Sequence, residues 1–452
     1  MALTEQNRED LIELANSRQL KKLKDQLSEM NEFDVAELIG DLSPEQALVL
    51  FRLLPKDLSS EVFACLDIDR QQTIINSISD TELHNIIEDL AIDDAVDLVE
   101  ELPASVVKRI LKMATPSTRV LINQYLQYPD NSAGSIMTAE YVALRPFMTV
   151  EQSFAYIRKN GVDKETIYTC YVIDKSRKLI GVVTLKDLIM NQYETKVSDI
   201  MDDDVISALT TEDQEEVAGL FTKYDLLALP VVDRENRLVG IVTVDDIVDV
   251  MEAEATEDFE KMAAMAPSEK SYLKTSVFTL AKNRIVWLLI LMISSTVSGA
   301  ILTYYEATFA ALPLLVSFIP TLMDTGGNSG SQASTMIIRG LAVDEIELSD
   351  LFRVLWKELR VGVICGTILA GLNFIRLMIQ YPGNTGIMII VSVSMLLTVI
   401  LAKTLGALLP MLAKALNLDP ALMASPMLTT IVDACSMIIY FTMAAHFLTG
   451  IQ

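Results

Sequence analysis

Apolar and polar positions divide the chain at about residue 280. After that point come long uncharged runs. Before it, apolar residues recur singly in a polar, acid-rich background. Residues 285–305, "IVWLLILMISSTVSGAILTYY", carry no charge and match the roughly 20 residues a helix needs to cross a bilayer. Further apolar stretches run from Ala307 to Ile338, Val361 to Met378, Ile387 to Ala413 and Leu422 to Gly450, with "YPGNTG" as a turn before the fourth. Together they predict a five-helix α transmembrane bundle. Asp324 and the glycines after it, "GGNSGSQ", predict a break in the second span.

The polar half carries two repeats. Leu42, Leu54, Leu66, Ile78, Leu90 and Leu102 recur every twelve residues, each before a polar starter such as "SPEQ", "PKDL" or "SDTE". Pro at a first helical position and Ser or Asp at a cap start helices. The pattern predicts short stacked helices from about 30 to 128, an α-solenoid. The longer repeat pairs "YVIDKSRKLIGVVTLKDLI" (171–189) with "PVVDRENRLVGIVTVDDIV" (230–248). Each copy reads strand, turn, strand, helix, after an earlier helix.

The 452 residues have a formal net charge of -25 yet a positive mean hydropathy. One compact soluble domain rarely combines these. Such acidity excludes nucleic acid, which calls for clustered Lys and Arg, and suits cations. Cys65, Cys170, Cys365 and Cys435 lie far apart without a CxxC, so no disulfide framework or zinc site is expected. With only His84 and His446, neither a histidine-rich metal site nor a Ser-His-Asp triad is expected. The opening "MALTEQNRED" does not read as a signal peptide. Arg339, Arg353, Lys357, Arg360 and Lys414 fall in alternate loops between spans. By the positive-inside rule the N-terminal half is cytoplasmic and the C-terminus is outside.

Asp433 sits near the middle of the fifth span. An Asp there costs roughly 2.5–3.5 kcal/mol on insertion scales, so it is expected to face a bundle interior or an aqueous path. Asp324 lies nearer a helix end, and Lys403 is expected to snorkel towards the cytoplasmic surface. A break at Gly327 to Gln332 would offer carbonyls, the Asn328 amide and hydroxyls to a hydrated cation. Close helix packing by small residues is the alternative. Pro410, Pro420 and Pro426 are expected to free further carbonyls. Acidic runs at 80–101 and 245–260 read as solvated faces or as facing carboxylates that divalent cations would draw together. Asp324-Thr325-Gly326 spells an aspartic-protease tripeptide. Soluble members of that class need two such motifs in β-rich lobes, and intramembrane ones need a GxGD-type sequence, which neither Asp324 nor Asp433 has.

Gly181-Val-Val-Thr184-Leu-Lys-Asp187 and Gly240-Ile-Val-Thr243-Val-Asp-Asp246 resemble a tandem CBS pair. That likeness implies either an adenine-nucleotide site, ATP included, at Thr184, Asp187, Thr243 and Asp246, or a purely structural, dimerising pair. With "NSAGSIMTAEYV" (131–142), "TVDDIVDVMEAEATED" (243–258), "GGNSGSQAS" (326–334) and "LDPALMASPMLTTIVD" (418–433), nearly the whole chain resembles the MgtE-type magnesium transporters. The resemblance implies an N-terminal superhelical domain (1–130), two CBS repeats (131–195 and 196–252), a connecting plug helix (253–283) and a transmembrane domain (284–452). It further implies a homodimer in the plasma (inner) membrane. Its pore would hold Mg²⁺ at Asp433, with Asp324, Gly327 and Asn328 nearby. Cytosolic Mg²⁺ would be sensed by acids matching Glu61, Asp93, Asp94, Asp97, Asp225, Asp246, Asp249, Glu254, Glu257, Asp258 and Asp419. Ser331 departs from the family's GGNxGNQ and leaves Co²⁺ or Mn²⁺ as alternative cargo.

Overall fold

A computed structural model describes residues 5–17, 19–162, 164–268, 272–273, 275–306 and 313–449. The predicted start of the second span at Ala307 and the end of the fifth at Gly450 lie outside them. The chain forms two compact units, one ending at Met251 and the other beginning at Glu252.

The first unit opens with short helices: α1 (Glu5–Asn16), α2 (Leu20–Leu27), α3 (Glu32–Asp41), α4 (Pro44–Phe51), α5 (Lys56–Ala64), α6 (Ile68–Ser77), α7 (Asp80–Asp89), α8 (Ile92–Glu101), α9 (Ala104–Met113) and α10 (Pro116–Tyr125). Their starts follow the sequence. The side chains of Asn31, Ser43, Ser79 and Thr115 accept hydrogen bonds from first-turn amides, and Pro44 and Pro116 open their helices. Such caps contribute about 1 kcal/mol each. Leu42, Leu54, Leu66, Ile78 and Leu102 of the twelve-residue repeat are buried, and Leu90 packs on the same core. Each helix is too short to hold itself, and neighbours one place removed pack together: α3 on α5, α5 on α7, α7 on α9, α4 on α6 and α8 on α10.

The longer repeat builds two three-stranded sheets. The first copy comprises β1 (Ala143–Leu144), α11 (Val150–Asn160), β2 (Thr169–Ile173), β3 (Leu179–Thr184) and α12 (Leu185–Met190). The second comprises β4 (Ala208–Leu209), α13 (Gln214–Tyr224), β5 (Ala228–Val232), β6 (Leu238–Thr243) and α14 (Val244–Met262). In each, the first strand runs parallel to the second, and the second pairs antiparallel with the third. The two-residue strands β1 and β4 are too short to show in the alternation of residues. Asp174 and Asp233 shape equivalent turns by accepting two backbone N–H bonds each, and Arg177 and Asn236 take the left-handed conformation there. The apolar core runs without interruption from the N-terminal helices into the second copy, through Ala133, Val217, Phe221, Val231 and Ile247.

The second unit holds α15 (Val277–Tyr304), α16 (Ile319–Ala342), α17 (Leu351–Gln380), α18 (Thr385–Ala415) and α19 (Ser425–Thr449). Among the described residues four helices are long and apolar enough to cross a membrane: α15, α17, α18 and α19, counting the short turns that lead into α17 and α19. The 24-residue α16 is long enough but more polar.

The expected break in the second span does not occur. α16 is helical from Ile319 to Ala342, through Asp324 and every glycine after it. Gly in a helix costs about 1 kcal/mol relative to Ala, and close approach is what it brings here. A Cβ at Gly326 would lie 2.8 Å from Thr398 and 2.9 Å from Val432, and one at Gly406 would lie 2.4 Å from the Gly330 carbonyl. Small-residue packing is therefore the correct reading of this stretch. Pro410 lies inside α18, where its missing N–H leaves the carbonyl four residues earlier without its helical bond, and the Pro426 carbonyl accepts the hydroxyls of Thr429 and Thr430.

Contacts set the helix directions. Gly326 meets Thr398 and Gly330 meets Ala402, so α16 and α18 run parallel. Gly326 meets Val432 and Ser436 while Gly330 meets Leu428, so α16 and α19 run antiparallel. Gly362 meets Ile400 and Gly366 meets Leu396, so α17 opposes α18. Gly406→Val is expected to destabilise this unit by about 1–3 kcal/mol through overpacking. Gly371→Ala, with nothing within 4 Å of the new methyl, should change little. Thermal unfolding of the detergent-solubilised variants checks both.

Candidate ion pathway and carboxylate clusters

The larger polar side chains of α16 fall on one face. Asp324, Asn328, Gln332, Thr335 and Arg339 are exposed in the single chain, while Gly326, Gly327, Gly330, Ala333 and Ser334 are buried against α18 and α19. Residues four apart share a helix face, and here Asn328 Nδ2 donates to Asp324 Oδ1 at 3.1 Å. Asp433 on α19 is partly exposed. The antiparallel register of Gly326, Gly327 and Gly330 on α19 puts Asp324 within a helical turn of the Asp433 level. Gly327 itself faces Thr429, which makes it a packing residue. Lys403 does not snorkel. It is 5 % exposed and donates to the Ser329 carbonyl and to Gln332 Oε1, each at 3.4 Å.

In the first unit, α8 and α14 bring acids together. Burial, with Asp94 and Asp246 close by, pushes Asp93 up to about 8. Burial, with Asp94, Glu100, Glu101 and Asp246 around it, pushes Asp97 up to about 7. Asp94 and Asp246 are raised by burial too, Asp94 further by Asp246. Asp93 Oδ1 is buried without a hydrogen-bond partner. An orphaned carboxylate oxygen among like charges is a site for a proton or a cation. Glu165 joins this cluster, its pKa raised by burial and by Asp245 and Asp246. It stands alone between two elements in the sequence, with no spacing signal to reveal it. Asp249 lies beside Asp246. Glu61 and Asp94 both flank Cys65. Asp225 is an exposed left-handed cap at the end of α13. Among the described residues no three His, Cys, Asp or Glu are arranged as a ready-made metal cage.

A second cluster lies in the other unit, at the end of α14. Lys261 Nζ bridges Glu257 at 2.6 Å and Asp419 at 2.7 Å. Burial opposes its charge, and these two partners outweigh that and raise its pKa. Asp258 is raised by burial, then by Asp419, with Glu254 and Glu257 adding to it. Asp419 also caps the turn before α19 by accepting from the Ala421 amide. The four acids expected at this end therefore gather around a lysine the sequence reading passed over. Its spacing from Glu257, one helical turn, was the available signal.

Family models match in chain order: the MgtE intracellular N domain over residues 30–131, CBS domains over 133–194 and 197–253, and the MgtE divalent cation transporter over 319–443. The chain is 37% identical to the magnesium transporter MgtE of Thermus thermophilus over 95% of its own length and 96% of that protein's. The chain belongs to the MgtE family. The MgtE protein of Bacillus subtilis is 31% identical over 97% of the chain and 96% of its own. The crystal structure of the cytosolic domain of the Mg²⁺ channel MgtE in complex with ATP is similar at 38% identity and a TM-score of 0.52, covering 54% of this chain and 99% of that one.

In this MgtE chain both CBS Thr–Asp pairs are tied internally. Thr184 and Asp187 form a capping box at the start of α12, and Thr243 Oγ1 donates to Asp246 Oδ2 at 2.8 Å. A nucleotide would have to compete with these bonds, and Asp246 already belongs to the acidic cluster.

The raised acids give a pH signature. Folded Asp93 and Asp97 hold protons that the unfolded chain releases near pH 4. The folded state therefore binds more protons, and stability falls as pH rises from about 4 to 8. If the cluster takes up divalent cations, Mg²⁺ is expected to raise the unfolding temperature at about pH 8 and to do little at about pH 5, where Asp93 and Asp97 hold protons. Asp97→Asn should flatten both responses. Differential scanning fluorimetry with and without MgCl₂ checks them.

Proposed function

We propose that the chain is a Mg²⁺-selective channel that imports Mg²⁺ and is closed by cytosolic Mg²⁺. The observation that carries this reading is the exposed polar face of α16, with Asp324 and Asn328 within a turn of the Asp433 level. A face of this kind cannot stay against lipid. A second copy related by a two-fold axis would cover it and enclose an aqueous path between two Asp433 carboxylates, two negative charges for one divalent ion. The apolar core segment of α15 has no buried residue in the single chain, which also fits a dimer. All five long helices, α16 included, then cross the membrane, with the C-terminus outside. Mg²⁺ gives up water reluctantly, so Asp324 and Asn328 would meet a mostly hydrated ion. Membrane potential supplies about 4.6 kcal/mol per 100 mV for its two charges, so no other energy source is required.

The gate rests on the two carboxylate clusters. Without cations, like charges among Asp93, Asp94, Asp97, Glu165 and Asp246 repel; bound Mg²⁺ with its waters would draw them together. Glu254, Glu257, Asp258 and Asp419 would respond likewise at the plug end, where Mg²⁺ competes with Lys261. Glu61, Asp225 and Asp249 complete the proposed sensing set. The N-terminal helices form the superhelical domain (1–130). The CBS repeats (131–195 and 196–252) lead through the plug segment (253–283) to the transmembrane domain (284–452). ATP at the CBS pair would tune the gate by opening the Thr184–Asp187 and Thr243–Asp246 bonds. Ser331 in the glycine motif keeps Co²⁺ or Mn²⁺ as the second reading of the cargo.

Reconstituted into proteoliposomes with a Mg²⁺-sensitive dye inside, the wild-type chain is expected to admit Mg²⁺. Asp433→Ala should lower the rate at least about tenfold by removing the selecting charges. Entry undiminished in the variant would strip Asp433 of its role, and entry of Co²⁺ alone would favour the second reading.

A further inference from the structure

Lys403 is a buried cation inside a helix bundle that the proposed mechanism does not use. It lies twelve residues before the end of α18 (Ala415), about 18 Å at 1.5 Å per residue, too deep for its head to reach water along its own helix. Among the described residues it forms no ion pair; its partners are the Ser329 carbonyl and Gln332 Oε1 on α16. It can reach them because the backbones are close: a Cβ at Gly330 would lie 3.2 Å from the Ala402 carbonyl.

Gln332 follows Asp324 and Asn328 along the exposed face of α16. A hydrated cation turns its water hydrogens outward, so the walls of its path must offer acceptors. Asp324 offers carboxylate oxygens. Asn328 donates its Nδ2 to Asp324, which leaves Oδ1 to accept. Gln332 differs, because its oxygen is drawn to the buried Lys403 Nζ, which takes one of its two lone pairs.

We propose that Lys403 is a positioning residue that holds the Gln332 side-chain oxygen off the ion pathway and so ends the row of acceptors at Asn328. The inference rests on the transport reading above. Without Lys403, Gln332 is free to turn its oxygen onto the path. The extra ligand favours ions that exchange water for protein oxygens more readily than Mg²⁺ does. Lys403 thereby acts on selectivity through Gln332 and touches no ion itself.

The test compares Co²⁺ entry, read by calcein quenching, with Mg²⁺ entry, read by the Mg²⁺ dye, in proteoliposomes of the full chain. Lys403→Met is expected to raise the Co²⁺ to Mg²⁺ ratio about tenfold, the scale of one lost hydrogen bond to a charged group. Lys403→Gln, which keeps a donor for Gln332 without the charge, should stay within about twofold of wild type. In Lys403→Met/Gln332→Leu no oxygen is left to release, and the ratio should return towards wild type. An unchanged ratio in a folded Lys403→Met, or a double variant as altered as the single, overturns the inference. So does a tenfold rise in Lys403→Gln, which would show that charge and not the bond matters; that variant decides alone if Lys403→Met does not fold. Wild-type protein that admits no Mg²⁺ overturns the transport reading first, and this inference with it.

Discussion

An ionised carboxylate loses several kcal/mol of hydration when it faces hydrocarbon, and only a partner, a proton, a cation or water restores it. That constraint organises the membrane unit. Asp324 and Asp433 stand on different helices within a turn of one level. The helices bearing them approach closely because glycines line the buried side of α16. With Gly, Ala and Ser turned inward, every large polar group of α16 is left on the outer face. A helix that packs by its small residues necessarily presents its polar ones elsewhere.

The same physics works in the soluble unit in a milder form. Asp93, Asp94, Asp97, Glu165 and Asp246 are partly buried next to one another, and their proton affinities rise in consequence. Protons and divalent cations compete for such a cluster. At the end of α14 a lysine takes the place that a cation would, holding Glu257 and Asp419 from within the chain. The first cluster gathers acids, while the second already carries a tethered positive charge from within the chain.

Much of this was legible in the residues. The capped twelve-residue repeat, the duplicated strand, turn, strand and helix, and four of the apolar stretches leave traces in the sequence, and the elements they mark stand there. The misreadings have specific causes. The glycine run after Asp324 looked like a break because Gly is a poor helix former in isolation; Thr398, Val432 and Ala402, distant in sequence, make the continuous helix favourable. Lys403 looked like a snorkelling residue because its partners lie more than seventy positions away. Glu165 and Lys261 were passed over because neither belongs to a run.

The sequence by itself determined the division into an acidic soluble half and an apolar half, the repeats, the family and the identity of the deep aspartates. These depend on local pattern and composition. Tertiary structure alone decided which face of α16 is polar, which acids share a cluster, and that Lys403 and Lys261 are bound within the chain. Those facts depend on which distant residues meet, and burial and charge–charge energies change with every ångström between them, a dependence no local pattern encodes.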